Sequence, residues 1–245
     1  MKRMILSAVI AAVCLMSGCT NIEDQPVTSS DGKFSYSFPE LSAATDKSEP
    51  ESLPEAEEKP DRIVLVGDSR IMQLGHYLYE MAYTDDGTLV DEETPDGDYI
   101  IGAGAQGYAW LAEHTEDIED KLTDGCALVV NMGVNGVPYF HEEIASWCND
   151  IAEKYRDRGV KVYFLSVTPV NDRLLKSYNY AIRNVDVVCF NSEIRMELED
   201  VTYLDAYSVV TEDIFGDGDG TYDGLHYYES VYRKIRDFTW NTIKG

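Results

Sequence analysis

Five short runs of apolar residues recur along the chain after residue 60, and each predicts a β-strand. The runs are Arg62–Val66, Asp98–Ile101, Ala127–Met132, Val160–Val167 and Val201–Asp205. Stretches with helical spacing lie between or after them, at Ile144–Arg158, Ser192–Glu199 and Val231–Ile243. Near-continuous apolar strands that alternate with helices favour a parallel sheet covered on both faces. The pattern therefore predicts a three-layer α/β/α sandwich with a mostly parallel, five-stranded sheet over residues 61–245.

The first nineteen residues have the pattern of a targeting segment. Lys2 and Arg3 precede the apolar stretch Met4–Met16, which is too short to span a membrane comfortably, and small residues follow it. The sequence Leu15–Cys19 resembles a bacterial lipobox, in which the cysteine is acylated and becomes the mature N-terminus. We therefore expect residues 1–19 to be a lipoprotein signal peptide with lipid attached at Cys19. The alternative is an ordinary signal peptide with a chance cysteine.

Residues 20–60 are rich in Ser, Thr, Pro, Glu and Asp and contain few large apolar side chains. This composition is typical of a solvated, flexible tether, although Phe34–Phe38 alternates like a short strand. A signal peptide, a lipid and a tether together predict a location on the extracellular face of a bacterial cell membrane.

Charge and cysteine content narrow the possible functions further. The 245 residues carry a formal net charge of -25, which would repel a phosphate backbone and makes nucleic acid a poor partner. Three cysteines remain beyond Cys19, namely Cys126, Cys148 and Cys189, with no C-x-x-C pair. We expect these three to be buried free thiols rather than a disulfide framework or a zinc site.

Glycine-containing segments with polar side chains follow the predicted strands. Gly67–Ser69 follows the first strand, Gly102–Gly107 the second and Gly133–Gly136 the third, whereas Asp223–His226 precedes the last helix. Each segment taken alone is explained by a turn or a helix cap. A parallel sheet, however, gathers reactive groups at the carboxyl ends of its strands, so their shared position predicts one site.

Two weaker motifs do not support a cofactor. Gly102, Gly104 and Gly107 have the G-x-G-x-x-G spacing of a dinucleotide site, but they follow the second strand, and the acidic Asp124 precedes the third. Asp217–Gly220 begins like a calcium loop but lacks the later ligands of one, so a glycine-rich turn is favoured. We expect neither a cofactor nor a metal.

The order of these segments resembles the SGNH subgroup of the GDSL hydrolases, whose four sequence blocks supply Ser, Gly, Asn and His. The matching residues are Ser69, Gly104, Asn135 and His226, and Asp223 would complete a triad. Gly102 and Gly107 are alternatives to Gly104 for the second block. The resemblance covers about residues 61–245 and implies a flavodoxin-like fold. No G-x-S-x-G motif occurs, which disfavours the α/β-hydrolase alternative.

The resemblance implies acyl transfer with Ser69 as nucleophile, His226 as base and Asp223 as the residue that orients His226. The N–H groups of Ser69 and Gly104 and the side-chain amide of Asn135 would bind the oxyanion. The chain departs from the family pattern in having Arg70 after the serine and Gly136 after the asparagine. Arg70 either contacts a charged substrate or packs its stem on the surface.

The extracellular location favours an acetyl or short acyl ester on a carbohydrate or cell-wall glycan as the substrate. Two alternatives stay open. An O-acyltransferase would use the same residues to move the acyl group onto another alcohol. A non-catalytic glycan-binding lipoprotein would hold Ser69, His226 and Asp223 apart from one another.

Overall fold

A six-stranded sheet forms the centre of the fold. The computed structural model describes residues 58–245 except 86, 179 and 216–219, all within one compact unit. The strands are β1 (Ile63–Gly67), β2 (Leu89–Glu93), β3 (Tyr99–Ala103), β4 (Ala127–Asn131), β5 (Lys161–Leu165) and β6 (Val201–Leu204). Their order is β2-β3-β1-β4-β5-β6, and only β2 runs antiparallel to its neighbour. The predicted mostly parallel sheet is confirmed.

Helices cover both faces of this sheet. They are α1 (Ser69–Tyr79), α2 (Tyr108–Glu113), α3 (Thr115–Glu119), α4 (His141–Tyr155), α5 (Asp172–Ser177), α6 (Asn184–Glu197), α7 (Ala206–Phe215) and α8 (Glu229–Lys244), with a 3-10 turn at Arg156–Arg158. Alternate residues of β1 face opposite sides, as strand geometry requires. Val64 and Val66 pack with α2 to α6, whereas Ile63 and Leu65 pack with α1, α7 and α8. The three-layer prediction is therefore confirmed.

The prediction of five strands was wrong, because the sequence analysis missed β2. This strand lies at the sheet edge and has the sequence Leu-Val-Asp-Glu-Glu, in which only Val90 is buried. An edge strand that buries only one side chain has no run of apolar residues by which it could be predicted. The exposed charges on this edge discourage pairing with other chains. The helix predicted at Ser192–Glu199 begins eight residues earlier, at Asn184.

The topology brings three chemically distinctive loops to one edge of the sheet. The parallel strands β3-β1-β4-β5-β6 follow the chain order 2-1-3-4-5 of a flavodoxin-like sheet, with β1 between β3 and β4. Chain connections leave in opposite directions on either side of β1, which opens a crevice at the carboxyl ends of the strands. The loops after β1, β3 and β4 border this crevice.

The predicted signal peptide, the predicted lipid site at Cys19 and the tether up to residue 57 lie outside the described residues. Within the described residues, no helix is both long and apolar enough to cross a membrane. Cys126 and Cys148 are buried free thiols as predicted, but the prediction for Cys189 was wrong because this residue is exposed on α6.

Candidate active site

The structure brings the three residues of the predicted triad into one hydrogen-bonded series. Ser69 Oγ lies 2.9 Å from His226 Nε2, although the two residues are 157 positions apart. His226 Nδ1 lies 2.8 Å from Asp223 Oδ2 on the opposite side of the ring. With the ring proton on Nδ1, where Asp223 accepts it, Nε2 is free to accept the proton of the serine.

Ser69 is positioned by the start of helix α1. Asp68 caps this helix, and its side chain accepts a hydrogen bond of 3.1 Å from the N–H of Arg70. Ser69 is the first helical residue, so its own N–H has no partner within the helix and lies at the positive end of the helix dipole. Burial raises the pKa of Asp68. Arg70 and the N–H of Val134, in the loop after β4, oppose this rise because they stabilise the carboxylate.

His226 is oriented by a tight turn that begins at Asp223. Asp223 Oδ1 accepts hydrogen bonds from the N–H groups of Leu225, at 2.8 Å, and His226, at 2.7 Å. Burial raises the pKa of Asp223, but the N–H and ring of His226 and the N–H of Leu225 outweigh it, leaving the pKa below its ordinary value. The turn requires Gly224, which has φ +92° and whose added Cβ would meet the backbone of Leu175 and Asn171.

The prediction that Gly104 donates to the oxyanion does not fit this structure. The N–H of Gly104 donates to the carbonyl oxygen of Thr88, just before β2, at 2.7 Å, so it is already engaged. Gly102 serves close packing, because an added Cβ would collide with the backbone of Met72 on α1. Gly107 caps helix α2, has open space around it, and its N–H has no partner among the described residues. Of the three competing glycines, Gly107 is therefore the one suited to bind an oxyanion.

Asn135 lies beside this glycine. Its Nδ2 donates one hydrogen bond to the carbonyl oxygen of Gln106 at 2.7 Å, and Gln106 directly precedes Gly107. An amide nitrogen carries two hydrogens, so one remains for a ligand. This bond holds the loop after β4 against the loop after β3, which keeps Asn135 and Gly107 close to each other.

Arg70 does neither of the two things that the sequence suggested. It is 2% exposed, so it is not a surface residue, and each of its three guanidinium nitrogens donates to the protein. Nε donates to Leu225 O at 3.0 Å, Nη1 to Thr168 O at 2.8 Å and to Thr168 Oγ1 at 3.0 Å, and Nη2 to Pro169 O at 3.4 Å. The Arg70 Cζ also lies 5.0 Å from the centre of the Tyr227 ring.

A group of tyrosines borders the same histidine and was missed by the sequence analysis. The ring of Tyr222 is stacked at 6.1 Å from the ring of His226, and Tyr228 packs edge-on against Tyr222 at 5.7 Å. Burial raises the pKa of Tyr222 to about 12, with Tyr77 and Tyr83 near enough to add to the shift. All four rings are more than one-third exposed. Tyr77 lies on α1 and Tyr83 follows this helix, so both are far from His226 in the sequence and no local motif links them to it.

A separate group of residues has the donor types of a metal site. One ligand atom from each of His141, Glu142 and Glu197 lies within 4.8 Å of the others. His141 Nδ1, however, already contacts Glu197 Oε1 at 3.0 Å, and Nε2 contacts Glu193 Oε2 at 3.3 Å. Both ring nitrogens of His141 are therefore in contact with carboxylates of α6.

Comparisons with known proteins find similarity in structure alone. No family model and no curated protein sequence matches the chain. A GDSL-like lipase from Bacteroides thetaiotaomicron aligns with 77% of this chain and 92% of its own, with a TM-score of 0.51 and 16% identity. A Bacteroides fragilis protein proposed to be an acylhydrolase aligns with 77% of this chain and 91% of its own, with a TM-score of 0.54 and 16% identity.

An acetylxylan esterase from Geobacillus stearothermophilus aligns with 76% of this chain and 95% of its own, with a TM-score of 0.50 and 9% identity. The described domain therefore has the fold of the SGNH/GDSL hydrolases. At these identities the likeness establishes the fold alone.

Proposed function

We propose that the protein is a serine hydrolase of carboxylic esters with Ser69 as nucleophile. The observation that carries the proposal is the hydrogen-bonded series from Ser69 through His226 to Asp223, with contacts of 2.9 Å and 2.8 Å. This series also opposes the alternative of a non-catalytic protein, which expects the three residues to be apart. The esterases among the structural neighbours support the same reaction class.

The reaction proceeds in two halves. His226 Nε2 takes the proton of Ser69 as Oγ attacks the ester carbonyl, and the imidazolium then gives that proton to the leaving alcohol as the C–O bond breaks. A water molecule next loses a proton to His226 Nε2 as it attacks the acyl-enzyme. The imidazolium then returns this proton to Ser69 Oγ as the bond between Oγ and the acyl carbon breaks and the carboxylic acid leaves. Asp223 stays ionised throughout and stabilises the imidazolium.

The oxyanion formed in each half is bound by three donors in this proposal. They are the N–H groups of Ser69 and Gly107 and the second Nδ2 hydrogen of Asn135. Each such donor contributes about 3 kcal/mol to transition-state stabilisation in acyl-transfer enzymes. Gly107 takes the role that the sequence analysis gave to Gly104, because the Gly104 N–H donates to Thr88.

We propose that the substrate is an acetyl or short acyl ester on a carbohydrate or cell-wall glycan. The exposed rings of Tyr77, Tyr83, Tyr222 and Tyr228 support this class, because tyrosine offers an apolar face for a sugar ring and a hydroxyl for its polar edge. One structural neighbour acts on acetylxylan. The net charge of -25 disfavours anionic lipid substrates. Attachment of lipid at Cys19 outside a bacterial cell is part of the same proposal.

The test is hydrolysis of p-nitrophenyl acetate by the full chain in detergent, beside the Ser69→Ala variant. Ser192→Ala is a matched control, because Ser192 is an exposed serine on α6. We expect turnover by wild type and by Ser192→Ala, and background rates for Ser69→Ala. A fluorophosphonate should label wild type and Ser192→Ala but not Ser69→Ala. Turnover and labelling that survive in Ser69→Ala would refute the assignment of the nucleophile.

A further inference from the structure

Arg70 and Leu225 form a second connection beside the one between Ser69 and His226. Arg70 directly follows Ser69, and Leu225 directly precedes His226. The bond from Arg70 Nε to Leu225 O is 3.0 Å long, and the contact from Ser69 Oγ to His226 Nε2 is 2.9 Å long. A buried hydrogen bond therefore joins the residue after the nucleophile to the residue before the histidine.

The residue on the other side of His226 is held to the same guanidinium. The ring of Tyr227 packs against Arg70, with 5.0 Å from Cζ to the ring centre. The Tyr227 hydroxyl lies 2.8 Å from Thr168 Oγ1, and this oxygen also accepts from Arg70 Nη1 at 3.0 Å. Both chain neighbours of His226 are thus fixed to one side chain that projects from the start of α1.

The loop after β5 supplies the remaining hydrogen-bond acceptors for Arg70. The carbonyl oxygens of Thr168 and Pro169 accept from the two terminal nitrogens of Arg70, so the guanidinium joins this loop and residues 225–227 to α1. A planar fork of five N–H donors suits this arrangement, whereas a lysine offers one ammonium point and an apolar side chain offers no donor. The nearby Asp68 carboxyl is buried, which raises its pKa, and the positive charge of Arg70 opposes that rise.

We propose that Arg70 is a positioning residue that sets the distance between Ser69 and His226 by tying both neighbours of the histidine to the nucleophile helix. The inference rests on the proposed ester hydrolysis. Without the guanidinium, Leu225 O and Thr168 O lose this donor and Pro169 O keeps only the Tyr227 hydroxyl. The backbone beside the histidine then loses its connection to the start of α1 through Arg70. A displacement of about 1 Å between reacting groups costs on the order of 100-fold in rate.

The experiment compares Arg70→Leu and Arg70→Lys with Leu74→Ala, using p-nitrophenyl acetate and the full chain. Leu74 is 1% exposed on the same helix and packs in the core on the α1 side of the sheet, so its truncation lowers stability but removes none of the hydrogen bonds of Arg70. For Arg70→Leu we expect kcat to fall about 100-fold with KM within about twofold of wild type. Arg70→Lys should lose less, and Leu74→Ala should keep kcat within about twofold while its melting temperature falls.

Rescue separates positioning from stability. In Arg70→Gly, added guanidinium at millimolar concentration should restore part of kcat, whereas methylammonium should not, because only the planar fork reproduces the donors. If the Arg70 variants fail to fold, Thr168→Val decides the question, since it keeps the shape and removes the hydroxyl shared by Arg70 and Tyr227. A lower kcat at unchanged KM supports the proposal.

The proposal is overturned if Arg70→Leu, or Thr168→Val in its place, keeps the wild-type kcat, or if Leu74→Ala loses as much kcat at equal stability. Failure of the underlying function has a different signature. In that case wild type itself would show neither turnover nor labelling of Ser69 by a fluorophosphonate.

Discussion

Replacement of Asp223 by asparagine tests how the structure sets the proton position on His226. Asp223 Oδ1 accepts from two backbone N–H groups, at 2.8 Å and 2.7 Å, so the oxygen of an asparagine is held in that place. Its NH2 group would then face His226 Nδ1, 2.8 Å away, where Asp223 Oδ2 now accepts. A donor at this position favours the imidazole tautomer with its proton on Nε2, which cannot accept a proton from Ser69.

The size of the effect follows from the loss of the base. An asparagine that inverts the tautomer in a Ser-His-Asp triad lowers kcat about 10⁴-fold, which corresponds to about 5.4 kcal/mol. The backbone turn should persist, because the amide oxygen keeps both N–H bonds. The variant should therefore fold like wild type.

The assay is kcat for p-nitrophenyl acetate, with thermal melting as the folding check. Asp150→Asn is the matched control, because Asp150 is an exposed residue of α4 and the substitution removes the same charge. A fall in kcat of less than about tenfold for Asp223→Asn would refute the tautomer argument. A large fall for Asp150→Asn would show that net charge, rather than position, is responsible.

Three further outcomes are expected. Asn135→Ala should lower kcat about 100- to 1000-fold with little change in stability, measured as steady-state kinetics, because it removes one oxyanion donor. Folding lowers the pKa of Asp223, so its carboxylate stabilises the fold fully above about pH 4, and this stabilisation is lost as the pH falls through the pKa of the folded state. The difference in melting temperature between wild type and Asp223→Asn should therefore shrink when both are melted in acid. Asp98→Ala should cost about 3 to 5 kcal/mol in denaturant unfolding without changing kcat, because buried Asp98 accepts from Ile63 N, Trp240 Nε1 and Lys244 Nζ. Equal stability of Asp98→Ala and wild type would contradict this reasoning, as would a normal kcat for Asn135→Ala.

The sequence was sufficient for those features that local spacing controls. The three-residue interval from Asp223 to His226 contains the whole turn, and the position of Ser69 after a strand places it at a helix start. The parallel sheet followed from apolar runs that are buried on both faces. In each case the physical cause lies within a few residues of the feature it explains.

Features that depend on distant contacts were not predictable in this way. Gly104 and Gly107 look alike in sequence. They differ because the N–H of Gly104 donates to the carbonyl oxygen of Thr88, which lies just before β2 and outside the local sequence around Gly104. Arg70 was expected at the surface or on a substrate because the three carbonyl oxygens that surround it come from residues 168, 169 and 225. The β2 strand escaped notice because pairing with β3, rather than burial, is what defines it.

The turn that holds His226 has a consequence for how such enzymes diversify. Thr221 Oγ1 accepts a hydrogen bond from the N–H of Gly224, and Thr221 pairs with Tyr227 across the turn. Contacts within residues 221–228 therefore stabilise the turn. The same eight residues carry both Tyr222 and Tyr228. Under the proposed function, a mutation of either tyrosine therefore acts on the segment that also positions His226, so substrate preference and reactivity would change together. Exchange of the whole segment between relatives, rather than of single tyrosines, is the route by which a new preference could arise with the base kept in place.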